Sequence, residues 1–408
     1  MTKEYFTAEN KKLKGKPIAI KDCICVKDME TTCSSAILKG YRPVFDATAV
    51  KKLKEKGYDI AGKTIQDEFG YGSFNLNVGT GYEIPKNPFD KQRTCGGSSG
   101  GSAAVVQKYS MPALAESTGG SIVCPAAFCG VIGLCPTYGR VSRYGLIDYA
   151  NSLDKIGVMS KTIEETEKIY HIIKGKDEND STSVSADDFE DKKIRIAVLK
   201  RLEGVENDVQ LKIDETVRKL KSKGYVCENI DLPLNKKYAL AVYYIIAMAE
   251  TSTNLAKYCG LRYGTQEKIE GNFNEYFTKI RSMNFGKETK RRLMLGTFIR
   301  MAGYRDAYYI KALKVRKLLI NEYKQVFKKY QIILCPTMPV LPPKISEIEK
   351  LTPMQNYAMD ILTVGPNLAG LPHISVNAGF TRDLPVGVMF TADHFHERNL
   401  FRIARELE

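Results

Sequence analysis

No apolar run in this sequence approaches the roughly 20 residues that a membrane-spanning helix needs. The start, MTKEYFTAENKKLKGK, is polar and basic and lacks the apolar segment of a secretory signal. The expected compartment is therefore the cytoplasm, with no membrane partner. Histidine is scarce: His171, His373, His394 and His396 are the whole set, and none lies near the Gly-Ser clusters described below. The ten cysteines are scattered, and Cys23, Cys25 and Cys33 offer C-x-C rather than C-x2-C spacing, with no histidine beside them. This argues against a zinc site or a disulfide framework, and for small side chains in a reduced interior. A mononucleotide P-loop is disfavoured because no lysine follows the glycine runs, and no G-x-S-x-G elbow surrounds Ser98 or Ser121. Internal repeats and low-complexity tracts are also missing.

What is there reads as an ordinary globular chain of 408 residues, 43% hydrophobic and 26% charged. The net charge of +14 suits either an RNA-containing complex or a lysine-rich soluble surface, and the spread of lysines along the chain favours neither. KPIAIKD (16–22) reads as a buried strand. ATAVKKLKEKG (47–57) has helical spacing at Val50 and Leu53 with a stop at Gly57, and YDIAGKT follows as a strand. This alternation predicts an α/β sheet. From 94 to 140 glycine is too frequent for an ordinary helix and suits backbone that approaches a ligand closely. Residues 176–192 are acidic and aperiodic, an expected exposed loop. Strand, amphipathic helix and strand follow in KIRIAVL, LKIDETVRKLKSKG and YVCENIDL. Residues 236–330 read as mainly helical, IILCPT (332–337) as a strand, and HISVNAG and PVGVMF as a hairpin or adjacent strands.

Two clusters carry chemistry: Gly96-Gly97-Ser98-Ser99-Gly100-Gly101-Ser102 and Thr118-Gly119-Gly120-Ser121, with Lys21 at the end of the strand PIAIK. A serine hydroxyl needs a neighbouring base to become a good nucleophile. A lysine serves if burial keeps it neutral. Consecutive glycines before Ser121 let backbone N–H groups crowd an attacked carbonyl as an oxyanion hole. The other serine cluster can relay a proton between lysine and nucleophile, a Ser-Lys version of triad logic.

KPIAIKD, CGGSSGGSAA, STGGSIVCPAAFCGVIGLCPTYGRVS and NLAGLPHISV…PVGVMF together resemble the motifs of the amidase signature family, in order and over nearly the whole length. The resemblance implies one domain over 1–408: a large mixed β-sheet core flanked by helices on both faces. Residues 1–175 would form the signature core and 193–235 a β-α-β continuation. Residues 236–330 would be a helical insertion bearing the substrate clamp, and 331–408 a return to the core. It implies Ser121 as acyl-forming nucleophile, Ser98 as bridging serine on a cis peptide, and Lys21 as the base. The N–H groups of Thr118, Gly119, Gly120 and Ser121 would line the oxyanion hole. Two departures stand out: the segment between the clusters is one residue shorter than the family pattern, and Glu116-Ser117 replaces Ser-Asp. The chain also begins shortly before Lys21, so the helical segment common there in relatives is expected to be missing.

GYRPVFDATAV, DEFGYGS, YGRVSRYGLIDYANSLDKIG, FGKETKRRLMLGTF, GYRDAYYIKALKVR and NYAMDILT further resemble the A-subunit branch of that family, the glutaminase components of tRNA-dependent amidotransferases. That resemblance implies Arg292 and Asp360 as the clamp on the α-carboxylate and α-amino groups of glutamine, and Tyr243 as a further substrate contact. It implies no cofactor in this chain, a partner B-subunit that uses ATP and magnesium on mischarged tRNA, and a small C-subunit. A lone arginine on a helix is ordinarily a solvated surface residue, and an aspartate before an apolar run a helix cap. A free-standing amidase and a catalytically silent scaffold for tRNA or a partner remain as alternatives.

Overall fold

The apolar runs become strands of one sheet in the computed structural model, which describes residues 4–10, 12–79 and 81–408. The strands are β1 (Phe6–Glu9), β2 (Lys16–Lys21), β3 (Tyr58–Thr64), β4 (Ala113–Ser117), β5 (Ile132–Cys135), β6 (Lys155–Ser160), β7 (Arg195–Leu199), β8 (Val226–Ile230), β9 (Ile332–Pro336), β10 (His373–Thr381) and β11 (Leu384–Ala392). Their order is β1-β3-β2-β4-β6-β5-β10-β11-β9-β7-β8. β2 pairs in parallel with β3 and β4, and β7 with β8 and β9. The other ladders are antiparallel, including the β10–β11 hairpin.

Every residue of β4, β5, β6, β9 and β11 is buried, as expected when both faces of a sheet are covered. Alternate side chains along a strand point to opposite faces. Ile18, Ile20, Leu114 and Val158 accordingly share one core with Ala49, Val50 and Leu53 of the helix Thr48–Glu55. Ala19, Ala113, Ala115 and Met159 share the other with Ala103 to Val106 of the helix Gly100–Tyr109.

That helix, and Val123–Phe128 after it, lie in the stretch whose glycine content argues against ordinary helix. The reason is close packing. A Cβ on Gly100 would stand 2.7 Å from Asn75 Oδ1, and one on Gly101 2.5 Å from Ile65 O. The glycines press the helix onto the Asn75 side chain and the Ile65 backbone, and Ala103 to Val106 bury its apolar face. Residues 176–192 hold no strand or longer helix, but only part of the segment is exposed. Asp177 accepts hydrogen bonds from Thr48 and Ser142, Asp180 from Arg143, and Asp188 pairs with Arg140 and Lys174. Its acidity fastens it to basic and hydroxyl groups of the core, which composition alone does not show.

Between β8 and β9 come the helices Pro233–Asn254, Phe273–Asn284, Lys287–Arg300 and Lys311–Phe327. Asn272 and Glu275 close a capping box on the second. Lys287–Arg300 lies so close to Pro233–Asn254 that a Cβ on Gly296 would come within 1.9 Å of Met248 O. This backbone contact sits one turn from Arg292. Gly296→Ala is expected to destabilise the protein by about 1–3 kcal/mol, the range for overpacking, read by denaturant unfolding.

Candidate active site

β2 and β4 are parallel neighbours, so their carboxyl ends open on the same edge of the sheet, where α/β proteins place ligands. β2 ends on Lys21, and β4 ends on Ser117, from which Thr118-Gly119-Gly120-Ser121 leads to the helix Val123–Phe128. Lys21 is fully buried. Its Nζ lies 2.7 Å from Ser98 Oγ, 2.9 Å from Glu116 Oε2 and 3.0 Å from Glu116 O. These use all three donors of an ammonium.

Ser98 stands at the entry to the helix Gly100–Tyr109, after a cis Gly97–Ser98 peptide. Gly97 N donates to Ser73 O (2.8 Å), and Asp67 N donates to Ser98 O (3.1 Å). A Cβ on Gly97 would meet Asp67 Oδ2 at 2.2 Å, so only glycine fits. Ser98, not Ser99, faces Lys21; Ser99 Oγ donates to Glu116 O at 3.2 Å. Cβ atoms on Gly119 and Gly120 would lie 2.8 Å from Tyr243 Oη and 2.6 Å from Thr363 Oγ1. The N–H groups of Gly119, Gly120 and Ser121 donate to no acceptor among the described residues. Ser121 itself is buried at the start of this turn into the helix.

The structure also brings Arg292 and Asp360 together, 68 positions apart in sequence. Arg292 is 3% exposed, within 5.2–5.7 Å of the ring centres of Tyr71, Tyr149, Tyr244 and Tyr357. Its Nε donates to Glu288 Oε1 at 2.8 Å and one terminal nitrogen donates to Tyr149 Oη. Asp360 accepts from Tyr244 Oη (2.6 Å) and Ser73 Oγ (2.9 Å). Burial raises its carboxyl, and Tyr244, Ser73 and Arg292 counter this. Tyr243, the sequence candidate, packs over Gly119, and its neighbour Tyr244 is the tyrosine that touches Asp360. A cavity of about 390 Å³ is lined by Ser73, Asn77, Glu288, Arg292, Asn356 and Tyr357, among others. Its lining stops short of Ser98 and Ser121; Ser73, which bonds both Asp360 and Gly97, joins it to the serine side.

Two buried carboxylates went unread in the sequence. Glu116, visible there only as a departure from the family pattern, pairs with Lys21. Thr118 Oγ1 lies 2.8 Å from Glu116 Oε1 and 2.7 Å from Asp154 Oδ1. Burial, with Glu116 second, holds the Asp154 carboxyl well above its usual range.

The chain belongs to the amidase family, whose pattern matches residues 1–401. It is similar to the A-subunit of the glutamyl-tRNA(Gln) amidotransferase of Archaeoglobus fulgidus, 46% identical over 411 residues covering 99% of this chain and 88% of that relative. The same-named protein of Saccharolobus solfataricus is 47% identical over 97% of this chain and 84% of its own length. The crystal structure of the Thermotoga maritima glutamyl-tRNA(Gln) amidotransferase A-subunit superposes with a TM-score of 0.84 at 39% identity, over 99% of this chain and 87% of that one.

Asp67 yields a pH prediction. Burial pushes its carboxyl from 3.8 up to about 6, against the N–H groups of Asn77 and Asn75. A raised carboxyl binds its proton more tightly folded than unfolded, so stability falls as pH rises through that window. At 1.36 kcal/mol per unit, wild type should lose about 3 kcal/mol that Asp67→Asn does not lose from well below to well above that window. Urea unfolding of both proteins across the window checks this.

Proposed function

We propose that this chain is the glutamine-hydrolysing component of a tRNA-dependent amidotransferase. The observation that supports the reading is a buried Lys21–Ser98 hydrogen bond linked through Ser73 to an Arg292–Asp360 pair suited to the two charges of a free amino acid. A guanidinium fork matches a carboxylate, and Asp360 matches an ammonium. Glutamine held by both ends presents its side-chain amide towards the Thr118–Ser121 loop.

In this mechanism Ser121 Oγ attacks the amide carbon and passes its proton to Ser98, which passes its own to Lys21. The N–H groups of Thr118, Gly119, Gly120 and Ser121 receive the developing oxyanion, where fixed dipoles in a dry site are worth most. The tetrahedral adduct collapses as the leaving nitrogen takes a proton back along the same path. Ammonia departs, leaving a γ-glutamyl ester on Ser121, and water then releases glutamate by the same relay. The ammonia serves a partner B-subunit, which uses ATP and magnesium to activate Glu-tRNA(Gln) or Asp-tRNA(Asn). A small C-subunit completes the complex, and no cofactor is assigned to this chain.

The competing reading is a free-standing amidase for a neutral amide, which has no use for a buried arginine and aspartate at its pocket. Ammonia release from L-glutamine, assayed with the B-subunit present, separates the two. Ser121→Ala should abolish it. Arg292→Lys, which loses the fork, should cost about 1.5–3 kcal/mol, or roughly 10- to 150-fold in kcat/KM, mostly through KM. Undiminished turnover in Ser121→Ala refutes the nucleophile, and an unchanged KM in Arg292→Lys refutes the clamp.

A further inference from the structure

We propose that Glu116 holds the proton that Lys21 must give up before it can act as a base, so that the base of this site is a Lys21–Glu116 pair. This rests on the Ser121–Ser98–Lys21 relay proposed above, but not on glutamine being the substrate.

A lysine that already carries three protons cannot accept one from Ser98. Yet Lys21 Nζ is fully buried and lies 2.9 Å from Glu116 Oε2, an arrangement that favours the ammonium–carboxylate form. The same hydrogen bond offers the way out. One N–H bond of Lys21 breaks and an O–H bond forms on Glu116 Oε2, leaving a neutral amine and a neutral acid, forms that a water-free interior tolerates well. The freed lone pair on Nζ accepts the Ser98 proton over 2.7 Å, while Ser98 takes the proton of Ser121. Charge balances throughout: an ion pair at the start; an ammonium, a neutral acid and an oxyanion at the end. No further acid or base is needed.

The far side of Glu116 is arranged to match. Thr118 Oγ1 touches both Glu116 Oε1 and Asp154 Oδ1 but has a single hydrogen. Asp154 also accepts from Tyr149 N and Ala150 N. With Asp154 protonated, its O–H donates to Thr118 and Thr118 donates to Glu116. Glu116 is then the carboxylate of this buried group left to exchange a proton with Lys21. Among the described residues the other titratable groups facing the pair are Cys23, beyond β2, and Cys135 on β5, both pushed up by burial and so uncharged, and Asp67, which acts on Lys21 and whose carboxyl burial raises to about 6.

The test is the rate at which a fluorophosphonate probe labels Ser121, followed by intact mass across a pH series on the full chain, with Ser121→Ala as the blank. Such labelling reads activation of the serine and needs no glutamine. In wild type the relay fails on the acid side only when the carboxylate is protonated as well as the amine, and any carboxylate takes more acid to protonate than an amine does. Glu116→Gln should therefore move the acid limb to higher pH by at least about one unit, about a fivefold loss of rate at the wild-type midpoint and about tenfold below it. Glu116→Asp should keep the limb near its wild-type position. Thr118→Val, which removes a hydrogen bond to Glu116 but none to Lys21, should move it in the same direction as Glu116→Gln. It provides the reading should the glutamine variant not fold. A merely structural Glu116 would lower the rate at every pH without moving the limb, and that result overturns the proposal. Absence of Ser121 labelling in wild type overturns the relay and this inference with it. Labelling that follows the predicted limbs in a protein inert towards glutamine overturns the glutaminase reading alone.

Discussion

Lys21 Nζ reaches Ser98 Oγ, Glu116 O and Glu116 Oε2 from a position with no surface in water. Taking an ammonium out of water costs several kcal/mol even after relaxation, so neighbouring groups must be placed to offset it. Glu116 supplies the opposite charge. Its carbonyl is available because β4 ends at the next residue, Ser117. The parallel pairing of β2 with β4 sets amine, carboxylate and the Thr118–Ser121 loop on one edge. Glycines at 97, 119 and 120 stand where other parts of the site, Asp67, Tyr243 and Thr363, leave no room for a side chain.

The proposed clamp is built from distant sequence but is not an independent module. Thr363, over Gly120, donates both its N–H and its hydroxyl to Asp360 O. Four residues on, Asn367 Nδ2 donates to Thr118 O and to Leu153 O. One short stretch thus sets the acid of the clamp and braces the loop that carries Ser121. Arg292 is fixed by the contact of Gly296 on Met248 O and by four tyrosine rings, one of them the Tyr244 that bonds Asp360. Such over-determination gives a binding site the tolerance its chemistry requires.

Much of this is legible in the chain itself. KPIAIKD, YDIAGKT, KIRIAVL, IILCPT and the terminal hairpin announce themselves by short apolar runs between turn residues, and the two Gly-Ser clusters mark the stretches that hold Ser98, Ser99 and Ser121, among which the family resemblance selects Ser98 and Ser121. β4 is harder to see: ALAES is short, rich in small residues and ends in polar ones, yet all five residues are buried. The helix Gly100–Tyr109 is hidden by its glycines, whose role is contact with Asn75 and Ile65 rather than flexibility. Glu116 reads as a local irregularity because its partner lies 95 positions earlier. Tyr244 goes unnoticed because adjacent residues in VYYIIAMAE give no sign that this ring meets Asp360. Charge pairing across the sheet and side-chain direction on a buried helix are tertiary facts, and periodicity does not encode them.

Everything proposed for the site converges on one covalent event, the transfer of a γ-glutamyl group to Ser121 within a clamp made for an amino acid. Rapid-quench mass spectrometry of the full chain mixed with L-glutamine, followed by peptide mapping, observes that event directly. The predicted result is a γ-glutamyl ester on the peptide containing Ser121, absent from Ser121→Ala and depleted in Arg292→Lys. An ester on another residue, or acylation by neutral amides with none by glutamine, would contradict it.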